Sequence, residues 1–285
     1  MSSLFDFDKP ALYAVMGNPV SHSKSPRIHG LFAEQTGQRI QYTAIQVDPG
    51  GFEQAVRNFT ANGGRGLNVT VPFKTNAWEL ADSRTPRAEL AGAVNTIVVR
   101  AQGVLHGDNT DGVGLVNDIV NNQGGVIAGR SVLLLGAGGA ARGVLGPLLE
   151  QRPGELLIVN RTADRAAALA QNFSRLGAVA GCGYDDLADR RFDVVINATS
   201  ASLHGELPPL PERLLASGAW CYDMMYGATA TPFMRWAERH RAGKVLDGLG
   251  MLVEQAAESF FLWRGVRPET APVIAVLRRE LAKHG

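Results

Sequence analysis

The amino-acid sequence predicts an α/β fold of two domains, the second of them doubly wound. Apolar, strand-like runs alternate with helical patterns along the chain, and this alternation favours sheets that are largely parallel. The alternation starts afresh after Gln123-Gly124-Gly125, which marks a second block. With 285 residues, the chain also has enough apolar material for two separate cores.

The first block shows three strand patterns, two helical patterns and a hairpin. The strands are predicted at residues 12–16, 41–47 and 66–71, the helices at 25–36 and 52–62, and the hairpin at 93–100 and 104–106 with its turn at 101–103. Ser25-Pro26 is predicted to be the N-cap and first turn of its helix, and Gly37 is predicted to end it.

The second block repeats the strand-helix unit twice and then adds two strands. The predicted elements are strand 132–135 with helix 138–150, strand 156–159 with helix 163–173, and strands 194–196 and 219–223, followed by tail helices at 251–263 and 268–283. This order predicts a Rossmann-like doubly wound sheet.

Composition narrows the class of protein. Hydrophobic residues make up 45% and charged residues 19% of the chain, which excludes a disordered protein. The net charge is +1 with no basic tract, so nucleic acid is not an expected partner. No apolar run approaches the roughly 18 residues that cross a bilayer, and residues 1–10 lack the basic and apolar regions of a signal peptide. We therefore expect a cytoplasmic protein without a membrane partner.

The two cysteines, Cys182 and Cys221, have neither metal-ligand nor redox-motif spacing. They are interpreted as free thiols in a reducing compartment, and no metal site is expected. A monomer and a homodimer both remain open.

A glycine turn directly follows the apolar strand 132–135 and precedes a helical pattern. Its residues are Gly136, Ala137, Gly138, Gly139 and Ala140. In such a turn the first glycine permits the tight bend, the second lets the backbone approach a pyrophosphate, and the third small position, here Ala141, lets helix and strand pack closely. The helix N-terminus then offers free N–H groups to the anion. The placement between strand and helix predicts a dinucleotide site rather than a plain turn.

The end of the next strand distinguishes NADP from NAD. An NAD site usually has an acidic residue there to bond the ribose, whereas this chain has Asn160, Arg161 and Thr162, with Arg165 four residues after Arg161. A guanidinium can bind the 2′-phosphate with paired, charge-assisted bonds that a carboxylate would oppose. The alternative is that both arginines are surface charges flanking a helix. We predict NADP as the cofactor.

Three polar clusters lie near strand ends in the first block, at residues 17–26, at 68–74, and at 92–96 together with 107–112. Ligands collect at the carboxyl ends of strands in open α/β sheets. Hydroxyls, amides, one lysine and one aspartate in these clusters suit a ligand rich in hydroxyl groups. They would be unusual choices for a core.

These clusters and the motifs of the second block, taken in order, resemble the shikimate dehydrogenase family. The motifs are the Gly136 turn, Asn160-Arg161-Thr162, Asn197-Ala198-Thr199-Ser200, Tyr222-Asp223-Met224 and the segment from Asp247 to Ala257. The resemblance runs from about Tyr13 to the end of the chain. It implies reduction of the C3 ketone of 3-dehydroshikimate by NADPH, a step of the chorismate pathway in aromatic amino-acid biosynthesis.

The resemblance also implies a division of labour. Residues 1–112 and 249–285 would form the substrate domain and residues 113–248 the NADP-binding domain. Ser21 and Ser23 would hold the substrate carboxylate. Substrate contacts are implied for Thr70, Lys74, Asn95, Asp111, Tyr226 and Gln255, and cofactor contacts for the Gly136 turn, Asn160, Arg161, Thr162, Arg165, Thr199, Met224 and Gly248.

Lys74 and Asp111 are the catalytic pair that the resemblance implies. Hydride addition to a ketone leaves an alkoxide, which needs a nearby proton or positive charge, and a protonated Lys74 supplies both. The sequence leaves open which of the two carries the proton. It also leaves open an ordinary solvated role for Lys74 and a turn or N-cap role for Asp111, a role for which Asp108 is the better candidate.

Two departures from the family pattern are visible. After Asn197-Ala198-Thr199-Ser200 the family commonly has a glycine one residue on, where this chain has Ala201-Ser202-Leu203. Residues 83–87 also depart from the usual acidic stretch. Two alternatives stay open: an NAD-dependent dehydrogenase of quinate or of both quinate and shikimate, and a regulator that senses NADP without turnover.

Overall fold

The computed structural model describes residues 9–283, apart from the side chains of Leu203 and His204. The expectation about a signal peptide therefore falls mainly on residues outside the described range. The chain divides into two compact units: unit 1 comprises Met1–Thr110 and Ala256–Val273, and unit 2 comprises Asp111–Gln255 and Ile274–Gly285. Among the described residues, no helix is long and apolar enough to cross a membrane.

Unit 1 is built on a mixed six-stranded sheet with strand order β2-β1-β3-β5-β6-β4. Its elements are β1 Ala11–Gly17, α1 Ser25–Thr36, β2 Ile40–Gln46, α2 Phe52–Ala61, β3 Gly64–Val69, α3 Lys74–Leu80, β4 Ser83–Arg84, α4 Pro86–Ala91, β5 Thr96–Val99 and β6 Leu105–Asp108. β1 pairs in parallel with β2 and β3, whereas β5 is antiparallel to both β3 and β6. The predicted hairpin is β5 and β6.

The two faces of the unit 1 sheet carry different cores. One face is wholly apolar on its buried side and includes Met16, Leu67 and Val69 with the stacked rings of Phe52 and Phe73. On the other face rings pack together: Tyr13 stacks on Trp263 with 4.7 Å between ring centroids, and the His29 ring lies 4.3 Å from that of Tyr42. Polar rings inside a core need hydrogen-bond partners, so this face brings polar groups into the interior.

Unit 2 is built on an all-parallel sheet with strand order β12-β11-β10-β7-β8-β9. Its elements are α5 Asp111–Asn117, β7 Ser131–Leu135, α6 Gly139–Glu150, β8 Glu155–Val159, α7 Ala163–Phe173, β9 Val179–Cys182, β10 Phe192–Asn197, β11 Leu215–Asp223, α8 Pro232–Arg239, β12 Lys244–Leu246, the first part of α9 Leu249–Arg264 and most of α10 Ala271–Ala282. This is the doubly wound order of a Rossmann fold.

Both faces of the unit 2 sheet are buried, which explains the continuous apolar runs. In β7, Val132 and Leu134 join the core on one face, while Leu133 and Leu135 join the core on the other. Successive side chains of a strand point to opposite faces, so a strand covered on both sides needs an apolar residue at every position.

The predicted α/β fold class is confirmed, and the elements match the predictions to within a few residues. The prediction of largely parallel sheets holds for unit 2, but the hairpin makes the sheet of unit 1 mixed. Helices α3, α4, α5 and α8 and strands β4, β9 and β12 were not predicted. Helices α3, α4 and α5 have six or seven residues each, so none of them shows a full hydrophobic repeat.

The division into units differs from the predicted domains at the tail. Residues 249–255 and 274–285 belong to unit 2, whereas the prediction placed all of 249–285 with the substrate domain. The reason is local contact. Asp247 accepts two hydrogen bonds from the Arg278 guanidinium at 2.6 and 2.5 Å, and the Met251 N–H donates to the Tyr222 hydroxyl at 3.2 Å.

Candidate active site

The polar segments that follow β1 and β3 lie side by side. A Cβ on Gly17 would overlap Thr70 Cγ2, so only glycine fits at the end of β1. The Thr70 N–H donates to the Met16 carbonyl at 2.9 Å, and the Asn18 N–H donates to the Val71 carbonyl at 3.0 Å. The first two predicted polar clusters are therefore neighbours at the carboxyl ends of parallel strands.

Ser21 and Ser23 lie in the loop before α1. Ser21 is exposed and Ser23 is half-buried. The Ser23 hydroxyl accepts the Ser25 N–H at 3.3 Å. The prediction that Ser25 is the N-cap is wrong, because Lys24 occupies the cap and Ser25 is the first helical residue. Gly37 ends the helix in a left-handed conformation, as predicted.

Lys74 is the first residue of α3, and backbone bonds hold it close to the third polar cluster. The Phe73 N–H donates to the Thr70 carbonyl at 3.0 Å, which closes the turn that leads to Lys74. The Lys74 carbonyl in turn accepts the Val94 N–H at 2.9 Å. Because Val94 directly precedes Asn95, this bond places the backbone of Lys74 close to Asn95.

Asn95 is buried and is tied to the loop after β6. Its Oδ1 accepts the Thr110 N–H at 2.9 Å and the Thr96 hydroxyl at 2.9 Å, and its Nδ2 donates to Thr110 Oγ1 at 3.0 Å. The main-chain N–H of Asn95 donates to the Asp108 carbonyl at 3.0 Å. These bonds leave the side chain little rotational freedom, which is what a binding amide requires.

A buried hydrogen-bond hub at Asn68 supports this region. Asn68 Oδ1 accepts the Tyr42 hydroxyl at 2.7 Å and pairs with His29 Nε2 at 3.2 Å, while Nδ2 donates to the Asn95 carbonyl at 3.2 Å. Burial lowers the pKa of His29 to about 3, so this imidazole is neutral at neutral pH. His29 is thus a structural group of the core.

Asp108 anchors the same region with an ion pair that the sequence did not reveal. The Arg87 guanidinium donates to Asp108 Oδ1 at 2.6 Å and to Oδ2 at 2.7 Å. The Thr85 hydroxyl also donates to Oδ1, at 2.6 Å. Asp108 Oδ1 also accepts the following Asn109 N–H at 2.7 Å, so the carboxylate holds the loop that leads to α5. A separation of 21 residues between Arg87 and Asp108 carries no periodic signal that could predict the pair.

The glycine turn of unit 2 has the predicted strand-turn-helix context. Gly136 has φ of +102°, and a Cβ there would lie 3.1 Å from Thr199 Cγ2. Gly138 is the N-cap of α6 with φ of −88°. A Cβ on Gly138 or Gly139 would meet no protein atom within 4 Å. Packing inside unit 2 therefore explains Gly136 but leaves Gly138 and Gly139 unexplained.

Arg161 and Arg165 are both exposed next to the end of β8. Asn160 Nδ2 donates to the Thr162 carbonyl at 3.0 Å, and the Arg165 N–H donates to the same carbonyl at 3.1 Å. These bonds bring the two arginines into one turn at the start of α7. Burial raises the pKa of Tyr184, and the charge of nearby Arg161 opposes this rise.

Polar side chains connect the ends of β10 and β11. Asn197 Oδ1 accepts the Thr199 hydroxyl at 2.7 Å, and Asn197 Nδ2 donates to Asp223 Oδ1 at 3.2 Å. Ser202 occupies the place where the family commonly has glycine. Its hydroxyl donates to Asp223 Oδ2 at 2.8 Å. The departure from the family pattern therefore adds a bond that secures the loop after Thr199.

Met224 and Gly248 approach each other closely in unit 2. A Cβ on Gly248 would overlap the Met224 carbonyl, so glycine is required there. Tyr226 follows Met224 in the same segment and is half-buried. Burial, and then the charge of Asp247, raise its pKa. The ends of β11 and β12 thus bring together three of the predicted site residues.

Asp111 and Gln255 also lie in unit 2. Asp111 is half-buried and is the first residue of α5, so it lies inside the helix and not at the N-cap position considered for it. Gln255 Nε2 donates to the Leu252 carbonyl at 2.8 Å within α9. A Cβ on Gly114 would lie 2.7 Å from the Gln255 N atom, so α5 and α9 pack closely here.

The fold and these strand-end clusters define the class as a two-unit α/β protein with a dinucleotide-binding Rossmann unit. Three family models match successive parts of the chain. The substrate-binding domain model of shikimate dehydrogenase matches residues 15–97, a shikimate/quinate 5-dehydrogenase model matches 118–204, and the C-terminal domain model of shikimate 5′-dehydrogenase matches 248–278.

Individual relatives identify the family. The chain is 63% identical to a protein named shikimate dehydrogenase (NADP(+)) from Alkalilimnicola ehrlichii, over 94% of this chain and 98% of the relative. An Ael1 enzyme from Pseudomonas putida has 46% identity and a TM-score of 0.88, with 94% of this chain and 98% of the other covered. Shikimate 5-dehydrogenase from Thermus thermophilus, solved with NADP(H) and shikimate, has 32% identity and a TM-score of 0.83, with 94% and 99% covered. The chain belongs to the shikimate dehydrogenase family, which confirms the resemblance inferred from the motifs.

Proposed function

We propose that this protein catalyses the NADP-dependent, reversible reduction of 3-dehydroshikimate to shikimate in the chorismate pathway of aromatic amino-acid biosynthesis. The observation that carries the proposal is the joined arrangement of Thr70, Lys74 and Asn95 in unit 1 of a chain whose unit 2 has a dinucleotide fold. Backbone bonds hold an ammonium-bearing residue next to a buried amide at a strand end. A polyhydroxylated ketone needs such groups for binding and for protonation.

The residues of unit 2 fit a bound NADP. Gly138 and Gly139 face no protein atom that a Cβ would meet, and their backbone conformation does not demand glycine, so room for an approaching pyrophosphate explains them best. The α6 N-terminus would bind this anion. Arg161 and Arg165 would hold the 2′-phosphate with Asn160 and Thr162 beside it. Met224 and Gly248 would lie near the nicotinamide, and Thr199 would also contact the cofactor.

The remaining chemistry belongs to the side chains. NADP(H), when bound, supplies or accepts the hydride at C3. The protein must hold the ring and move a proton at the C3 oxygen. In reduction, the Lys74 ammonium donates a proton to that oxygen and its charge stabilises the developing alkoxide. Asp111 is the second member of the catalytic pair that the family resemblance implies. In oxidation, the neutral amine takes the proton back.

Substrate recognition falls to the other predicted residues. Ser21 and Ser23 hold the carboxylate with their hydroxyls, and Thr70, Asn95 and Gln255 bond the ring hydroxyls. Tyr226 contacts the substrate. Unit 1 would thus act as the substrate domain and unit 2 as the cofactor domain. A cytoplasmic location and a monomeric or homodimeric state remain parts of this proposal.

A two-substrate assay tests the proposal. Purified protein is supplied with NADP⁺ and shikimate, then with NAD⁺ and quinate, and the formation of reduced cofactor is followed by its absorbance. Turnover of shikimate with NADP⁺ that clearly exceeds turnover of quinate with NAD⁺ is expected, because exposed Arg161 replaces the acidic residue that binds NAD. Absence of turnover on shikimate contradicts the proposal. NADP⁺ binding by calorimetry without any turnover would instead support the sensor alternative.

A further inference from the structure

A charge-balanced ionic cluster in unit 1 lies directly behind Asn95, and none of its own side chains is assigned to the substrate. It consists of Arg87, Asp108, Glu258 and Arg267, and we call it the Arg87 cluster. Arg87 bonds both oxygens of Asp108 and also reaches Glu258 Oε1 at 3.1 Å. Glu258 Oε2 accepts the Arg267 guanidinium at 2.5 Å. Asp108 is 1% exposed and Glu258 is 8% exposed, so both carboxylates are desolvated.

Net stability does not explain such a cluster. The cost of removing charges from water roughly cancels their attraction, and apolar residues of similar volume often serve as well. A bidentate arginine-carboxylate pair does supply a fixed direction, because its two parallel bonds define the plane of both groups. The Arg87 pair can therefore fix the direction of the Asp108 carboxylate and of the groups that Asp108 bonds.

Two arms of the proposed site depend on Asp108. Its main-chain carbonyl accepts the Asn95 N–H at 3.0 Å, and its carboxylate accepts the Asn109 N–H at 2.7 Å. Asn95 Oδ1 then accepts the Thr110 N–H at 2.9 Å. Thr110 directly precedes Asp111 in the chain. A rotation of the Asp108 carboxylate would release the Asn109 N–H, and the resulting shift of Asn109 and Thr110 would disturb the Asn95 amide that accepts the Thr110 N–H and the segment that leads to Asp111.

We propose that Arg87 is a positioning residue for the reaction, acting through Asp108 on Asn95 and Asp111. The inference rests on the proposed function. Arg87 lies in the segment 83–87, which departs from the family's usual acidic stretch. Its role is to aim groups that bind and transform the substrate, with no effect expected on cofactor affinity.

Arg87→Gln tests the inference against Arg267→Gln as matched control. Arg267 belongs to the same cluster but bonds Glu258 and not Asp108. For Arg87→Gln, kcat/KM for shikimate should fall about 10- to 100-fold, as expected for misplaced catalytic groups. The Kd for NADP⁺, measured by calorimetry, should stay within about twofold. Arg267→Gln should keep wild-type kinetics, and its loss of thermal stability should not exceed that of Arg87→Gln.

Arg87→Lys keeps the test decisive if Arg87→Gln does not fold. An ammonium retains the charge but cannot form the paired bonds, so an intermediate loss of kcat/KM for shikimate is expected at unchanged NADP⁺ affinity. Wild-type kcat/KM in a folded Arg87 variant overturns the inference. Equal losses in Arg87 and Arg267 variants, or a parallel loss of NADP⁺ affinity, also overturn it, because they indicate general destabilisation. A wild-type protein inactive on shikimate instead contradicts the proposed function itself.

Discussion

The sites proposed for the two units are formed by different chemical groups. In unit 2 the proposed cofactor site is mainly backbone: a glycine at φ of +102°, a helix N-terminus and two glycines with open space where a Cβ would be. In unit 1 the proposed substrate site is mainly side chains, and buried Asn68, Asn95 and Asp108 hold this region together by hydrogen bonds. A pyrophosphate is met by N–H groups common to every residue, whereas a ring with several hydroxyls needs particular side chains.

The two units should differ in the substitutions that they tolerate. Unit 1 carries a buried polar hub at Asn68 inside its aromatic core, with His29 and Tyr42 as partners. Unit 2 also has a buried polar hub, because Asp223 accepts hydrogen bonds from Asn197, Ser202 and Thr231, and this hub holds the loop after β10 beside the glycine turn. Because the proposed site consists mainly of side chains in unit 1 and of backbone in unit 2, substitutions should act on chemistry in unit 1 and on backbone conformation in unit 2.

The largest expected effect tests the dependence of unit 1 on one side chain. Lys74→Ala should lower kcat by about 10²- to 10⁴-fold, the usual contribution of a positioned acid-base group. The fold should persist, because Lys74 is half-buried at the start of a short helix. Steady-state kinetics and circular dichroism check both points, with exposed Lys9→Ala as control. A kcat near the wild-type value would refute the role given to Lys74.

The dependence of unit 2 on backbone conformation is tested by a pair of glycine variants. Gly136→Ala should cost about 1–3 kcal/mol in the free energy of unfolding, since its positive φ disfavours a side chain. Gly138→Ala should leave stability nearly unchanged, because its Cβ meets open space in the protein. It should weaken NADP⁺ binding, because the Cβ would occupy space proposed for the pyrophosphate. Urea unfolding and calorimetry separate the two. Equal stability losses in both variants would contradict the distinction between them.

The buried polar hub of unit 1 predicts a pH dependence of stability. Burial depresses the pKa of His29 from 6.5 to about 3, so the unfolded state binds the proton first as the pH falls. Stability from this site is present above pH 6.5 and is lost between pH 6.5 and about 3, at up to about 1.4 kcal/mol per pH unit. Near pH 5 the loss is about 2 kcal/mol. His29→Gln should flatten the slope measured by denaturant unfolding, whereas exposed His22→Gln should not.

The smallest expected effect concerns the one place where unit 2 is proposed to rely on side-chain charge. Arg161→Ala should raise KM for NADP⁺ about tenfold, because a charge-assisted phosphate contact is lost, and leave KM for NAD⁺ unchanged. Exposed Arg175→Ala is the control for a general change in surface charge. If Arg161→Ala raised both KM values equally, the assignment of Arg161 to the 2′-phosphate would be untenable.

Sequence patterns predict those features of both units that are contiguous in the chain. The glycine turn and strand 132–135 are contiguous, and local periodicity reports them directly. Helix 25–36 was likewise predicted with its correct bounds. The N-cap at Ser25 was misplaced because Ser23 supplies the side-chain oxygen one residue before the cap. Local patterns thus locate elements well, and their terminal bonds less well.

The sequence by itself determined two α/β blocks, the Rossmann turn, the arginines that favour NADP and the family. Each depends on neighbouring residues or on a motif read in order. The tertiary structure alone decided that Asn68 joins Tyr42, His29 and Asn95, that Arg87 clamps Asp108, and that Arg278 ties the last helix to Asp247. These bonds link residues that are 21 to 39 positions apart, and such contacts follow from packing of whole elements, which no local periodicity encodes.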